Sequence, residues 1–227
     1  MLYKPCMLDY FLIKNTEGSA FSRVIKVILF DFDGVIAEEE RFSTRLAHNY
    51  NISLDMTSKF FRNEFSRCLV GNADLKQEIH SYLPLWNWQK SVEDFLQDWF
   101  VCERVINEAL IKRVQQLRKG GIRCYIATNQ EKYRIEYIQS QLGLEHQFDG
   151  VFSSCHVKFL KNDAAYFERV MQEIQGIEAH EILFLDDSPE NVATATKVGM
   201  HAIIYANLID FENRLDNLFD AMYSQSY

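Results

Sequence analysis

The stretch that most limits what this chain can fold into is Val24–Ile36, V-I-K-V-I-L-F-D-F-D-G-V-I. Val24, Ile25, Val27, Ile28, Leu29 and Phe30 form a short apolar run rich in β-branched residues. A run of this length and character fits a strand buried on both faces of a parallel sheet. It ends in Asp31 and Asp33, one residue apart, and then Gly34. Side chains alternate along a strand, so the two aspartates are expected on one side and Phe32 on the other. Gly34 lets the chain turn sharply where the strand stops. The carboxyl edge of such a sheet is where open α/β folds bind ligands. Two carboxylates there repel each other and call for a cation, a shared proton, or both.

The rest of the chain repeats the strand-then-helix rhythm. Apolar runs at Ile122–Ala127, Asp149–Ser153, Glu181–Leu185 and His201–Ile204 read as strands. Between them lie helical patterns at 106–119, 131–141, the stretch after Lys161, and 189–198, with an amphipathic helix at the C-terminus. Alternation of this kind predicts an α/β fold with a parallel sheet and right-handed crossovers. Residues 37–101 break the rhythm. Their apolar residues recur at helical spacing and include Trp86, Trp88, Phe95 and Trp99, which predicts a small all-helical insert after the first strand with an aromatic core. The expected division is an N-terminal extension at 1–23 with a turn at Asn15–Ser19, a core at 24–36 and 102–227, and the insert at 37–101.

Composition removes several function classes. A net charge of −8 argues against general binding to nucleic acid or an anionic membrane. No apolar run approaches the ~20 residues of a membrane span, and Asp9 with no small-residue cleavage site argues against a signal peptide. Five scattered cysteines, with no C-x-x-C pair, point to free thiols in a reducing cytoplasm and away from a zinc site. The first strand is not followed by G-x-G-x-x-G, which argues against a dinucleotide-binding fold.

Polar residues follow the apolar strands in four places: Asp31 and Asp33, Thr128 and Asn129, Lys161, and Asp186 and Asp187. Singly, each has a plain structural use as a helix cap or a solvated side chain. Together and in this order they resemble the four motifs of the haloacid dehalogenase superfamily over about residues 24–205. Within it the chain looks like phosphatases with a helical cap after the first motif. These include small sugar-phosphate phosphatases and the N-terminal phosphatase domain of soluble epoxide hydrolase. The resemblance implies a three-layer Rossmann-like core, with Asp31 as nucleophile and Asp33 as general acid and base. It implies Thr128 and Asn129 as phosphoryl ligands and Lys161 as the cation holding phosphate and nucleophile. Mg²⁺ would be bound by Asp31, the Asp33 carbonyl and Asp187, with Asp186 as a supporting or alternate ligand. The implied substrate is a small phosphate ester, hydrolysed through an aspartyl phosphate.

An aspartate at position 33 separates branches of the superfamily. Dehalogenases similar to this pattern lack it, because a halide leaving group needs no proton, and the ATPase branch carries threonine. A phosphomutase of the β-phosphoglucomutase type shares all four motifs and stays open as an alternative, as does a regulatory or binding module that kept the fold. The third motif departs from the common G-x-x-K-P-D-P and reads Lys158-Phe-Leu-Lys161-Asn-Asp-Ala. Its spacing to Phe167 selects Lys161 over Lys158 as the motif lysine. In the cap, Arg41, Arg45, Trp86 and Trp88 are candidates for substrate contact, with packing or solvation as the plainer use of each.

Overall fold

A computed structural model describes residues 25–38, 42–102 and 105–224. The extension and its turn at Asn15–Ser19, Val24, Cys6, Arg41 and the two acidic residues before it lie outside the described residues. Strand β1 (Val27–Phe30) sits at the centre of a five-stranded parallel sheet. A two-residue strand β2 (Ala37–Glu38) follows, then helices α1 (Phe42–Tyr50), α2 (Leu54–Arg62), α3 (Glu64–Leu69), α4 (Leu75–His80) and α5 (Val92–Cys102). Strand β3 (Val105–Ile106) returns antiparallel to β2, so one short ribbon forms the stem of the helical insert. The chain then winds through α6 (Glu108–Lys119), β4 (Arg123–Thr128), α7 (Lys132–Gln141), β5 (Gly150–Ser153), α8 (Ser154–Val157) and α9 (Ala164–Ile174). It finishes with β6 (Ile182–Asp186), α10 (Pro189–Lys197), β7 (His201–Ile204) and α11 (Leu208–Ser224). The strand order is β5-β4-β1-β6-β7.

The period-2 pleat of β1 divides the core. Ile28 and Phe30 face α6, α7 and α11, packing with Leu110, Val114, Ile138, Phe211 and Leu215. Val27 and Leu29 face the other layer, with Phe167 and Val170 of α9 and Ala195 of α10. All four β1 residues are fully buried, which is why the run is apolar on both faces.

The pleat carries the chain only as far as Asp31, whose N–H still donates to Leu185 O at 2.8 Å. Beyond it the Phe32 carbonyl accepts from Ile36 and Ala37 at 2.9 and 2.8 Å, and Gly34 turns at φ +76°. Asp33 is therefore placed by a tight turn beyond the strand end, while its carboxyl still meets that of Asp31 at one site and Phe32 packs into the core.

The insert has a separate apolar centre. Phe42, Phe60, Trp86, Phe95 and Trp99 are buried there, with Phe42 stacked on Trp99 at 5.3 Å and Phe60 edge-on to Trp86 at 5.5 Å. Trp86 and Trp88 donate their indole N–H groups to Met56 O and Ser91 O, so both serve packing. Arg45 pairs with Asp98 at 2.8 Å. Among the described residues no helix is long and apolar enough to cross a membrane.

Candidate active site

The parallel strands bring their carboxyl ends to one edge, and the polar residues read from the sequence arrive there with them. β1 delivers Asp31, β4 delivers Thr128 and Asn129, and β6 ends in Asp186, followed by Asp187. Lys161 comes from the loop between α8 and α9. It occupies the centre of the group, with its side chain 2% exposed. Its Nζ lies 2.5 Å from Asp31 Oδ1 and 2.7 Å from Asp186 Oδ2. Its backbone N–H donates to Asn129 Oδ1 at 3.0 Å, so Asn129 ties the end of β4 to the lysine loop. Lys158 points elsewhere, to the carbonyl of Gly71.

The carboxylates are held firmly. Asp31 Oδ1 accepts from the Phe32 N–H at 2.7 Å. Asp186 is fully buried and accepts from the Ser188 N–H at 2.8 Å and from Asn191 Nδ2 at 3.1 Å through either oxygen. Asp187 lies over Gly34, where an added Cβ would come within 2.5 Å of Asp187 Oδ2. Glycine is thus required at position 34 twice, for its positive φ and for this close approach.

Asp33 has two partners that sequence reasoning missed. Gln130 Nε2 donates to Asp33 Oδ2, and Arg134 Nη2 stands 4.0 Å from Oδ1. Gln130 adjoins the Thr-Asn pair and was within reach of the sequence argument. Arg134 was not, because it falls on a helix whose charged residues usually face water. Here it is 1% exposed, donates to Phe100 O at 2.8 Å and lies against the rings of Phe32, Phe100 and Tyr137. Thr128 is 1% exposed, and its hydroxyl has no hydrogen-bond partner. A buried hydroxyl left unpaired costs about 1–3 kcal/mol, and this one has a donor and acceptor to offer a bound group.

Burial pushes the Asp31 carboxyl well above its usual range; Lys161 opposes this, while Asp186 and Asp33 add to it. Burial likewise raises Asp33, against the pull of Arg134, Lys161 and Gln130. Burial lowers Lys161, but Asp31 and Asp186 outweigh it and keep the ammonium charged. Asp31, Asp33, Asp186 and Asp187 concentrate carboxylate charge at this edge, which a divalent cation would help to offset. The donor set fits one: carboxylate oxygens of Asp31, Asp186 and Asp187 lie within 4.8 Å of one another. All are hard oxygen ligands of the kind Mg²⁺ prefers. Asp186 already serves Lys161, Ser188 and Asn191, and Asp31 serves Lys161 and the Phe32 N–H.

Comparison with known proteins agrees with this fold. A family model described as haloacid dehalogenase-like hydrolase matches residues 25–199. A drimenol cyclase of Aspergillus calidoustus is 27% identical over 112 residues, which are 49% of this chain and 21% of that protein. A sesquiterpene phosphatase of Aspergillus oryzae is 31% identical over 87 residues, 38% of this chain and 44% of that protein. The chain therefore spans less than half the length of either relative. Among solved structures, a HAD family enzyme from Bacteroides thetaiotaomicron in complex with magnesium superposes with a TM-score of 0.67. It is 19% identical, and the match covers 80% of this chain and 93% of that one. The fold, the edge at which the polar residues meet and the match across most of its length agree: the chain belongs to the haloacid dehalogenase-like hydrolases.

Proposed function

We propose that the chain is a Mg²⁺-dependent phosphatase that hydrolyses a small phosphorylated metabolite through an aspartyl phosphate on Asp31. The observation that carries this reading is the buried, unpartnered hydroxyl of Thr128 at the edge where Lys161 bridges Asp31 and Asp186. A phosphoryl group there would accept from Thr128 and Lys161 while presenting phosphorus to Asp31. The Asp31 oxygen forms a bond to phosphorus, the bond to the leaving oxygen breaks, and Asp33 gives that oxygen its proton. Asp33 then takes a proton from water, the water oxygen attacks phosphorus, and the bond to Asp31 breaks. The raised affinity of Asp33 for a proton suits the first step, and Gln130 and Arg134 hold its carboxyl in place for both. Mg²⁺ bound by Asp31, Asp187 and the Asp33 carbonyl, with Asp186 behind, would offset the charge shared by nucleophile and phosphate.

The helical insert acts in this reading as a cap that excludes bulk water and selects the leaving group. The core at 24–36 and 102–227 and the cap at 37–101 are then separate functional units. Three described cysteines, Cys68, Cys124 and Cys155, are free and buried, which suits a reducing cytoplasm. The sesquiterpene phosphatase among the relatives puts sesquiterpene phosphates beside sugar phosphates in a substrate screen. The first test is hydrolysis of an aryl phosphate with and without Mg²⁺, beside Asp31→Asn. Release that needs the metal and disappears in the variant is expected. Release that is equal in chelator, or that survives in Asp31→Asn, would overturn the proposal.

A further inference from the structure

Lys158 takes no part in the site, yet its backbone is strained. It follows α8 at φ +74°, in the left-handed region where glycine is the usual occupant and a side chain crowds the following carbonyl. The side chain of Lys158 crosses to the cap, where Nζ donates to the carbonyl of Gly71 at 3.1 Å. Gly71 itself turns at φ +66°, and a Cβ there would lie 2.5 Å from the Cys155 carbonyl oxygen. Two backbones therefore meet with no room between them.

Other contacts surround this point. Ser154 Oγ donates to Leu69 O at 2.6 Å. Asp74 accepts from Lys132 Nζ at 2.5 Å and from the Tyr133 hydroxyl at 2.8 Å. The cap loop 69–74 is thus gripped by two core segments. Residues 130–133 follow directly on Thr128 and Asn129, and residues 154–158 lead to Lys161.

We infer that Lys158 is a positioning residue, which couples the docking of cap loop 69–74 to the loop that delivers Lys161. Holding Gly71 against α8 keeps the cap seated over the phosphate site when Lys161 is in place. The catalytic consequence rests on the phosphatase reading; the coupling itself does not.

The full chain can test this with three variants, read by hydrogen exchange and by steady-state kinetics on an aryl phosphate. Lys158→Gly and Lys158→Met both remove the link, and the glycine variant also relieves the strain, so its melting temperature should equal or exceed that of the parent. The Gly71 and Asn72 amides donate to Cys68 O and Arg67 O at 2.9 and 2.8 Å and report on the loop; the Lys161 amide reports on its partner. In both variants these amides should exchange about three- to tenfold faster while β1 is unchanged. KM should rise by a similar factor with kcat changed less than about twofold. Lys158→Arg, which keeps a donor, should restore both. Unchanged exchange at 71–72 in the two link-free variants, an equal rise in β1, or an arginine variant that behaves like methionine would overturn the inference. Faster loop exchange in a protein that hydrolyses no phosphate ester would uphold the coupling and reject the phosphatase reading.

Discussion

The sheet edge and the helical cap are stabilised by opposite means. At the sheet edge, charge is buried among charge: Lys161 and Asp186 are 2% and 0% exposed in their side chains, and each depends on its neighbours. In the cap, Phe42, Phe60, Trp86, Phe95 and Trp99 bury rings against rings and ask for little but volume. The edge holds a few groups at fixed positions, where removing one strands the others. The cap tolerates exchange at a cost proportional to the space left behind.

The largest contrast should come from the edge. Asp31→Asn is expected to lower turnover at least about a thousandfold, with the fold intact because the change removes one of several repelling buried carboxylates. Kinetics and a melting curve on one preparation check both halves. Lys161→Met should come next. It leaves Asp31 and Asp186 buried without their cation, and urea unfolding should show a loss of about 3–5 kcal/mol. A loss below about 1 kcal/mol would erase the distinction between edge and cap, since that is the size of an exposed ion pair.

Glu131 tests the border between the two regions. It caps α7, accepting from the Arg134 and Tyr133 N–H groups at 2.6 and 2.9 Å, and α7 packs against the cap through Tyr133 and Tyr137. Burial pushes its carboxyl up to about 7, although those N–H groups oppose the rise. Its proton is held more tightly in the folded chain than in the unfolded one. The associated stability is therefore complete below about pH 4 and lost as the pH rises through about 7. Glu131→Gln keeps an accepting oxygen and should add about 1–3 kcal/mol at about pH 8, with little change near pH 4. Denaturant titrations at the two pH values decide it. The smallest effect belongs to the cap interior. Trp86→Phe removes the N–H that serves Met56 O and leaves a modest cavity, costing about 1–2 kcal/mol. Thermal unfolding should show that drop while hydrogen exchange around Lys161 stays as it was.

The same contrast explains what was legible beforehand. Asp31, Thr128, Lys161 and the Asp186-Asp187 pair each stand at a strand end or in the loop beyond one, and parallel strands carry their ends to one edge. Their meeting therefore follows from order along the chain. The partners of Asp33, Gln130 and Arg134, did not follow, because the pleat stops at Asp31 and a turn aims the second aspartate. Arg134 was hidden because its partners, Phe32 and Phe100, are distant in sequence and periodicity describes only a helix's own face. Lys158 was visible as a departure from a motif, but its contact with Gly71 depends on where the cap rests. The aromatic spacing of the insert announced a helical core; which rings line the substrate path depends on packing that no local pattern encodes.

The proposed reaction stands on the attack of Asp31 on phosphorus. Its most direct test is to mix the protein with Mg²⁺ and a radiolabelled phosphate ester, quench in acid within one turnover, and map the labelled peptide. An acid-stable, base-labile phosphoryl group is expected on the peptide containing Asp31, absent in Asp31→Asn. Phosphate release with no labelled protein at any time within the turnover, or a label on another residue, would contradict it.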